Sequence, residues 1–260
     1  MDERLLTNRR AWDLRVPVHL HSKFYDNQAF RAGRCSLNSI EVEAVGPVRG
    51  KSLLHLQCHF GQDTLGWARR GARVTGVDFS SVALAAARQM ARDLDLAAEF
   101  VESDVLALEL GQTFDIVFTS YGVLGWLPDL DRWAEVVVRH LAPGGLFYVV
   151  EFHPALMMLD FETGQLAYEY FHRGYHETVT GSYAGDLAER EEHFWSHSLE
   201  DILDPLLRHL TLERFREFDY SPYGCFTGMQ EEEPGRWRYP APVRLPHLFS
   251  LAMRRPRARS

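Results

Sequence analysis

A turn and an acid set the chemistry that this sequence offers. The turn is LLHLQCHFGQDTL, residues 53–65, between an apolar run and a stretch of helical spacing. It carries Gln57, Cys58, His59 and Gly61 where a nucleotide-binding loop usually keeps its backbone bare. The acid is Asp78, 21 positions beyond Gln57 at the end of ARVTGVDF. A carboxylate there accepts hydrogen bonds from both hydroxyls of a ribose. The turn also discriminates among nucleosides. A pyrophosphate needs glycines spaced G-x-G-x-x-G at a helix N-terminus. Those positions here are Gln57, His59 and Gln62, and Asp63 adds a charge that repels phosphate. A ligand without phosphate suits this turn better than a dinucleotide does.

The elements around the turn alternate. Apolar runs at 52–57, 72–79, 97–105, 114–122 and 145–153 read as buried strands. Helical spacing at 63–71, 81–94 and 130–141 lies between them, with Gly71 as a C-terminal cap and Ser80 or Ser81 as an N-terminal one. The turn Pro143-Gly144-Gly145 introduces the fifth strand. Beyond His153 come a long segment with hairpin character, a helix at 198–210 and strands at 210–220 and 247–255. This is the α/β pattern of a doubly wound, seven-stranded, mostly parallel sheet with ligands at its carboxyl edge. The expected organisation is an N-terminal helical cap at 1–50, a cofactor-binding core at 51–153, an inserted lid at 154–197 and the end of the sheet at 198–260. A second insertion at 221–246 interrupts the last part. If the sixth strand runs parallel to the fifth, the cap and both insertions converge over one pocket.

Composition excludes several alternatives. A formal charge of −8 repels phosphodiester backbones, so no nucleic-acid partner is expected. Three scattered cysteines without a CxxC pair suit reduced thiols in a cytoplasm. No stretch approaches the ~20 apolar residues of a membrane span, and none reads as a signal peptide. Twelve histidines give pairs with ligand-like spacing, among them His19 with His21, His172 with His176 and His193 with His197. No cysteine pair or HExxH motif accompanies them, so no metal is expected.

The motif order RRGARVTGVDFS, FVESDV, FDIVFTSYGVLGWL, LAPGGLFYVVEF resembles the class I S-adenosylmethionine-dependent methyltransferase family over residues 52–153. The likeness is to a bacterial branch in which HLQCHFGQDT is a variant first motif. His55 stands at the family's acidic position, Gln57 and His59 at its first two glycines, and Gly61 at its third. The resemblance implies a Rossmann-like fold and S-adenosylmethionine as cofactor. Asp78 would bind the ribose, and Phe79 would pack on the adenine. Asp104 would accept from the adenine amino group beside the Val105 amide. Ser120 and Tyr121 would orient the methionine ammonium, which His55 cannot bind as an acid does.

Methyl transfer is an in-line displacement on an activated carbon, needing alignment and a base only for a protonated acceptor. Glu151 and His153, at the end of the fifth strand, are the candidate bases. Aromatics concentrate in the caps at Trp12, Phe24, Tyr25, Trp126, Trp195, Tyr220 and Tyr223. With His197, the residues Tyr25, Trp126 and Tyr223 are expected to hold a small, partly apolar substrate, in a monomer or homodimer. A nicotinamide-dependent oxidoreductase and a non-catalytic methyltransferase-like binding module stay open as alternatives.

Overall fold

A computed structural model describes residues 2–161, 163–240 and 244–257. Residue 162 of the expected lid and residues 241–243 of the second insertion lie outside the described residues.

Three helices precede the sheet: α1 (Glu3–His21), α2 (Asn27–Arg31) and α3 (Ser39–Val45). Alternation then begins with β1 (Ser52–Leu56), α4 (Gln62–Arg69), β2 (Arg73–Asp78), α5 (Ser81–Asp93) and β3 (Ala98–Glu102). It continues through β4 (Phe114–Ser120), α6 (Leu130–His140) and β5 (Leu141–Phe152). The local signals are ordinary ones. Ser80 caps α5 by accepting from the Ala83 amide at 3.0 Å, and the alanine-rich run behind it loses little side-chain entropy in a helix. Asp129 caps α6 in the same way, through the Arg132 amide.

Beyond β5 an antiparallel hairpin pairs β6 (Arg173–Val179) with β7 (Arg190–Ser196). Then follow α7 (Leu199–Leu207), β8 (Thr211–Phe218), a small hairpin of β9 (Gln230–Glu233) and β10 (Arg236–Arg238), and β11 (Leu248–Arg254).

The main sheet runs β3-β2-β1-β4-β5-β11-β8. The four pairings from β3 to β5 are parallel, while β11 is antiparallel to both β5 and β8. Two reversals return β8 to the direction of β5, so its carboxyl end joins the others at one edge. The chain order turns back between β1 and β4, which is where open α/β sheets bind ligands. Leu54, Val117, Val149 and Phe249 pack under α6 and α7 on one face, while Leu53, Val74 and Phe118 pack with α3 and α4 on the other. Leu84, Ala87 and Met90 of α5 close a third cluster around Phe60 and Phe100.

Two local expectations need correction. Only one 3-10 turn, Val105–Ala107, occupies the β3–β4 link, so the strand–helix alternation is not regular throughout. Pro143-Gly144-Gly145 lies inside β5, at a shift of its register with β4, rather than before it.

The caps gather over the carboxyl edge. The amide of buried Asn8 on α1 donates to the His193 carbonyl at 2.7 Å and accepts from the His193 N–H at 2.8 Å. That pair fastens α1 to β7 as a further strand would.

Candidate functional site

The turn after β1 keeps the backbone of a glycine-rich loop without most of its glycines. Gln57, His59 and Gly61 have φ of 54°, 51° and 75°. The left-handed region costs a non-glycine residue about 1–2 kcal/mol. Local bonds hold it. The His59 amide donates to Asp78 Oδ2 at 2.8 Å, the Cys58 amide to the Val77 carbonyl at 2.9 Å, and the Gly61 amide to the Cys58 carbonyl at 2.9 Å. Gly61 is spatially obligatory, because a Cβ there would lie 2.7 Å from Phe100 and 2.9 Å from Ala87. Gln57 Nε2 donates to the Val123 carbonyl at 3.0 Å, while its Oε1 is buried without a partner. The Cys58 side chain packs into the α5 cluster.

His55 belongs to the core. Its Nδ1 is hydrogen-bonded to Thr64 Oγ1 at 2.8 Å, its ring packs edge-on to Phe118, and burial lowers its pKa to about 3. Asp78 closes β2, and its second oxygen accepts from the Ser80 amide at 2.9 Å. Burial raises its pKa to about 6, against these backbone bonds. Phe79 follows it, half-buried. Asp104 sits just past β3 and caps the 3-10 turn through the Leu106 amide at 3.0 Å, and Val105 is buried behind it. Ser120 and Tyr121 end β4, and Tyr121 is another left-handed residue, with φ of 44°.

The structure adds two acids to these. Glu41 on α3 is completely buried. Its Oε1 accepts from the Asn38 amide at 2.6 Å, and its Oε2 accepts from the Tyr121 hydroxyl at 2.8 Å. Asp63, in the first turn of α4, stands close enough to repel it. Burial, then this repulsion, raises Glu41 to about 8, and burial raises Asp63 to about 6. Tyr223 joins them by accepting from Asn38 Nδ2 at 2.6 Å and packing edge-on to Tyr121. The sequence shows Asp63 only as a phosphate repellent, and nothing in SIEVEAV marks Glu41, whose spacing suits a capping box. Its total burial beside the turn is the signal, and that exists only in three dimensions.

The lid meets above this group. The hydroxyls of Tyr25 and Tyr183 are 2.6 Å apart, and Phe24 packs against both Tyr183 and Tyr223. His19 Nδ1 and His59 Nε2 are hydrogen-bonded at 3.0 Å, and His19 Nε2 reaches Ser182 Oγ at 2.8 Å. Trp12 meets Trp126 edge-on at 5.3 Å. So Tyr25, Trp126 and Tyr223, expected around the substrate, do converge with the turn.

Other expected residues are engaged elsewhere. Glu151 is a loop anchor rather than a base: its carboxylate accepts from the amides of Gly122, Val123, Leu124 and Phe152. His153 accepts from the Ala155 amide at Nδ1, and its buried Nε2 lies 3.1 Å from Glu217 Oε1 without a hydrogen bond of good geometry. Buried His197 fastens its Nε2 to the Leu127 carbonyl at 2.9 Å and meets His172 through Nδ1. Trp195 packs in the α6–α7 core, and Tyr220 lies beneath Arg236 and Arg238. His176 and His193 stack across the lid hairpin, and no group of three or more metal-binding side chains stands among the described residues.

A sheet of this order, with a glycine-type turn after β1 and acids at the ends of β2 and β3, has the Rossmann-like methyltransferase architecture. The comparisons agree. Residues 53–145 match a family model described as a methyltransferase domain. A ubiquinone biosynthesis O-methyltransferase of Pseudomonas entomophila is 26% identical over 66% of this chain and 76% of its own. A demethylmenaquinone methyltransferase of Thermus thermophilus is 39% identical over 32% of this chain and 38% of its own. Among solved structures, an S-adenosylmethionine-dependent methyltransferase from Mesorhizobium loti superposes with a TM-score of 0.59 at 21% identity, covering 86% of this chain and 100% of that one. The glycopeptide N-methyltransferase MtfA, complexed with S-adenosylmethionine, superposes with a TM-score of 0.56 at 18% identity, over 84% of this chain and 92% of its own. Residues 53–145 thus match a methyltransferase domain, and the chain shares its fold with S-adenosylmethionine-dependent methyltransferases.

Proposed function

We propose that this protein moves a methyl group from S-adenosylmethionine to a small molecule held under its lid. The observation that carries this reading is an orphaned acceptor. Gln57 Oε1 is buried without a partner in a turn flanked by the acids Glu41 and Asp63. A buried polar atom left unmade costs about 1–3 kcal/mol, and an ammonium donor offsets that cost. Gln57, Glu41 and Asp63, with Tyr121 holding Glu41, would therefore bind the methionine end. They replace the acid missing at His55. Asp78 keeps lone pairs for the ribose, and Phe79, Asp104 and Val105 line the adenine side. Backbone carbonyls near Ser120 would complete the ammonium site.

When bound, S-adenosylmethionine supplies a methyl carbon activated by a sulfonium. The chain's residues align, shield and exclude water. Trp12, Trp126, Tyr25, Tyr183 and Tyr223 form the aromatic wall that performs this work. Glu151 fixes the segment after β4 and so positions that wall from below. The quinone methyltransferases among the relatives support a small, planar acceptor.

Calorimetry tests the reading. S-adenosylhomocysteine should bind, and NAD should not. Asp78→Ala should weaken the binding by at least tenfold, with Asp78→Asn as the variant that keeps the turn's volume. Binding of NAD alone would overturn the proposal.

A further inference from the structure

We propose that the methyl acceptor is an anion, a small planar carboxylate whose acidic group is bound by Arg15 together with Arg190. This deepens the methyl-transfer reading and rests on it. Arg15 of α1, Arg190 of β7 and Glu192 of β7 are 6%, 8% and 5% exposed. Both guanidiniums crowd one oxygen: Arg15 Nη2 lies 2.5 Å and Arg190 Nε 2.6 Å from Glu192 Oε1. Arg190 Nη1 donates to the Ala188 carbonyl at 3.2 Å. Arg15 Nη1 is buried and has no hydrogen-bond partner.

Two cations against one carboxylate leave one positive charge in excess. Among the described residues no second carboxylate lies within ion-pairing distance of either guanidinium. Glu177, opposite Glu192 across the hairpin, accepts from the Tyr168 hydroxyl instead. Arginine cannot shed its proton when buried, and an unbalanced buried charge is costly. An anion seated against Arg15 Nη1 removes that cost with a charge-assisted bond.

The excess charge faces the site. The Arg15 guanidinium lies 4.9 Å from the Trp12 ring and 5.3 Å from the Trp126 ring, between the two aromatic walls. Its field reaches His59 in the turn and Tyr183 in the lid. Glu41, Asp63 and Asp78 stand at the turn, and Arg15 and Arg190 stand in α1 and β7 that cover it. Flat rings around the guanidinium suit a planar anion.

Calorimetry with 4-hydroxybenzoate and its uncharged isostere 4-hydroxybenzamide tests this, with and without saturating S-adenosylhomocysteine. The benzoate should bind at least tenfold more tightly. Arg15→Gln should erase the preference, Arg15→Lys should keep part of it, and Arg190→Gln should reduce it if Arg15→Gln melts early. Equal binding of the two probes, or none, overturns the proposal. So does an Arg15→Gln loss confined to S-adenosylhomocysteine and absent for 5′-methylthioadenosine, because Arg15 would then hold the donor's carboxylate. Failure of the wild-type protein to bind S-adenosylhomocysteine strikes the methyl-transfer reading instead, while the anion preference is still read without it.

Discussion

Gln57 and His59 adopt a conformation that glycine would take without strain. Each brings a side chain in return: Gln57 reaches the β4 loop, and His59 reaches His19 on the lid. The turn is thus tied to its own cover, which a bare glycine loop cannot manage. The acids beside it titrate in a useful range. Burial holds Glu41 near 8 and Asp63 near 6, so the free pair is largely protonated at pH 6. An ammonium selects the ionised form. Donor affinity should therefore rise between pH 6 and pH 8, and binding at pH 7 should release protons. Calorimetry in buffers of different ionisation heat checks both, and Glu41→Gln should flatten the rise. Asn38, Tyr121 and Asp63 all act on Glu41, so the profile belongs to the group rather than to one side chain.

At the scale of elements, the amides of the segment just after β4 are held by a single side chain. Consecutive amides at 122, 123 and 124 converge on the Glu151 carboxylate, which stays 4% exposed. Removing it orphans several buried donors at about 1–3 kcal/mol each. Glu151→Ala should therefore lower unfolding stability by at least about 3 kcal/mol in urea titrations. Glu151→Gln, which keeps an acceptor oxygen, should lose less. A base would behave otherwise, slowing turnover while leaving the melt unchanged. Most elements were legible beforehand because their signals are local. The Ser80 cap, the alanine run of α5 and the apolar stretch of β11 depend on near neighbours. The β3–β4 link shows no helical spacing in the sequence, and the structure gives it one 3-10 turn.

For the molecule as a whole, the lid is built from three distant segments that touch through side-chain tips. Tyr25 comes from the loop after α1, Tyr183 from the β6–β7 hairpin and Tyr223 from the second insertion. Contacts of this kind open locally at little cost, unlike the sheet beneath. Donor binding should slow amide exchange in α1 and the 173–196 hairpin by at least tenfold while leaving β1, β4 and β5 unchanged. Mass spectrometry of exchanged peptides would show it. Uniform protection across the sheet would mean that the caps do not move.

Order along the chain decided the strands, the helices and the turn's poor fit to pyrophosphate, because periodicity, capping and charge act over a few residues. Tertiary structure alone decided which acids are buried beside the turn, which histidines are spoken for and where the surplus arginine charge lies. Glu41 and Asp63, or Arg15 and Glu192, are far apart in sequence. Their pKa values and pairings come from burial and proximity, which do not exist until the sheet brings its carboxyl ends and its caps together.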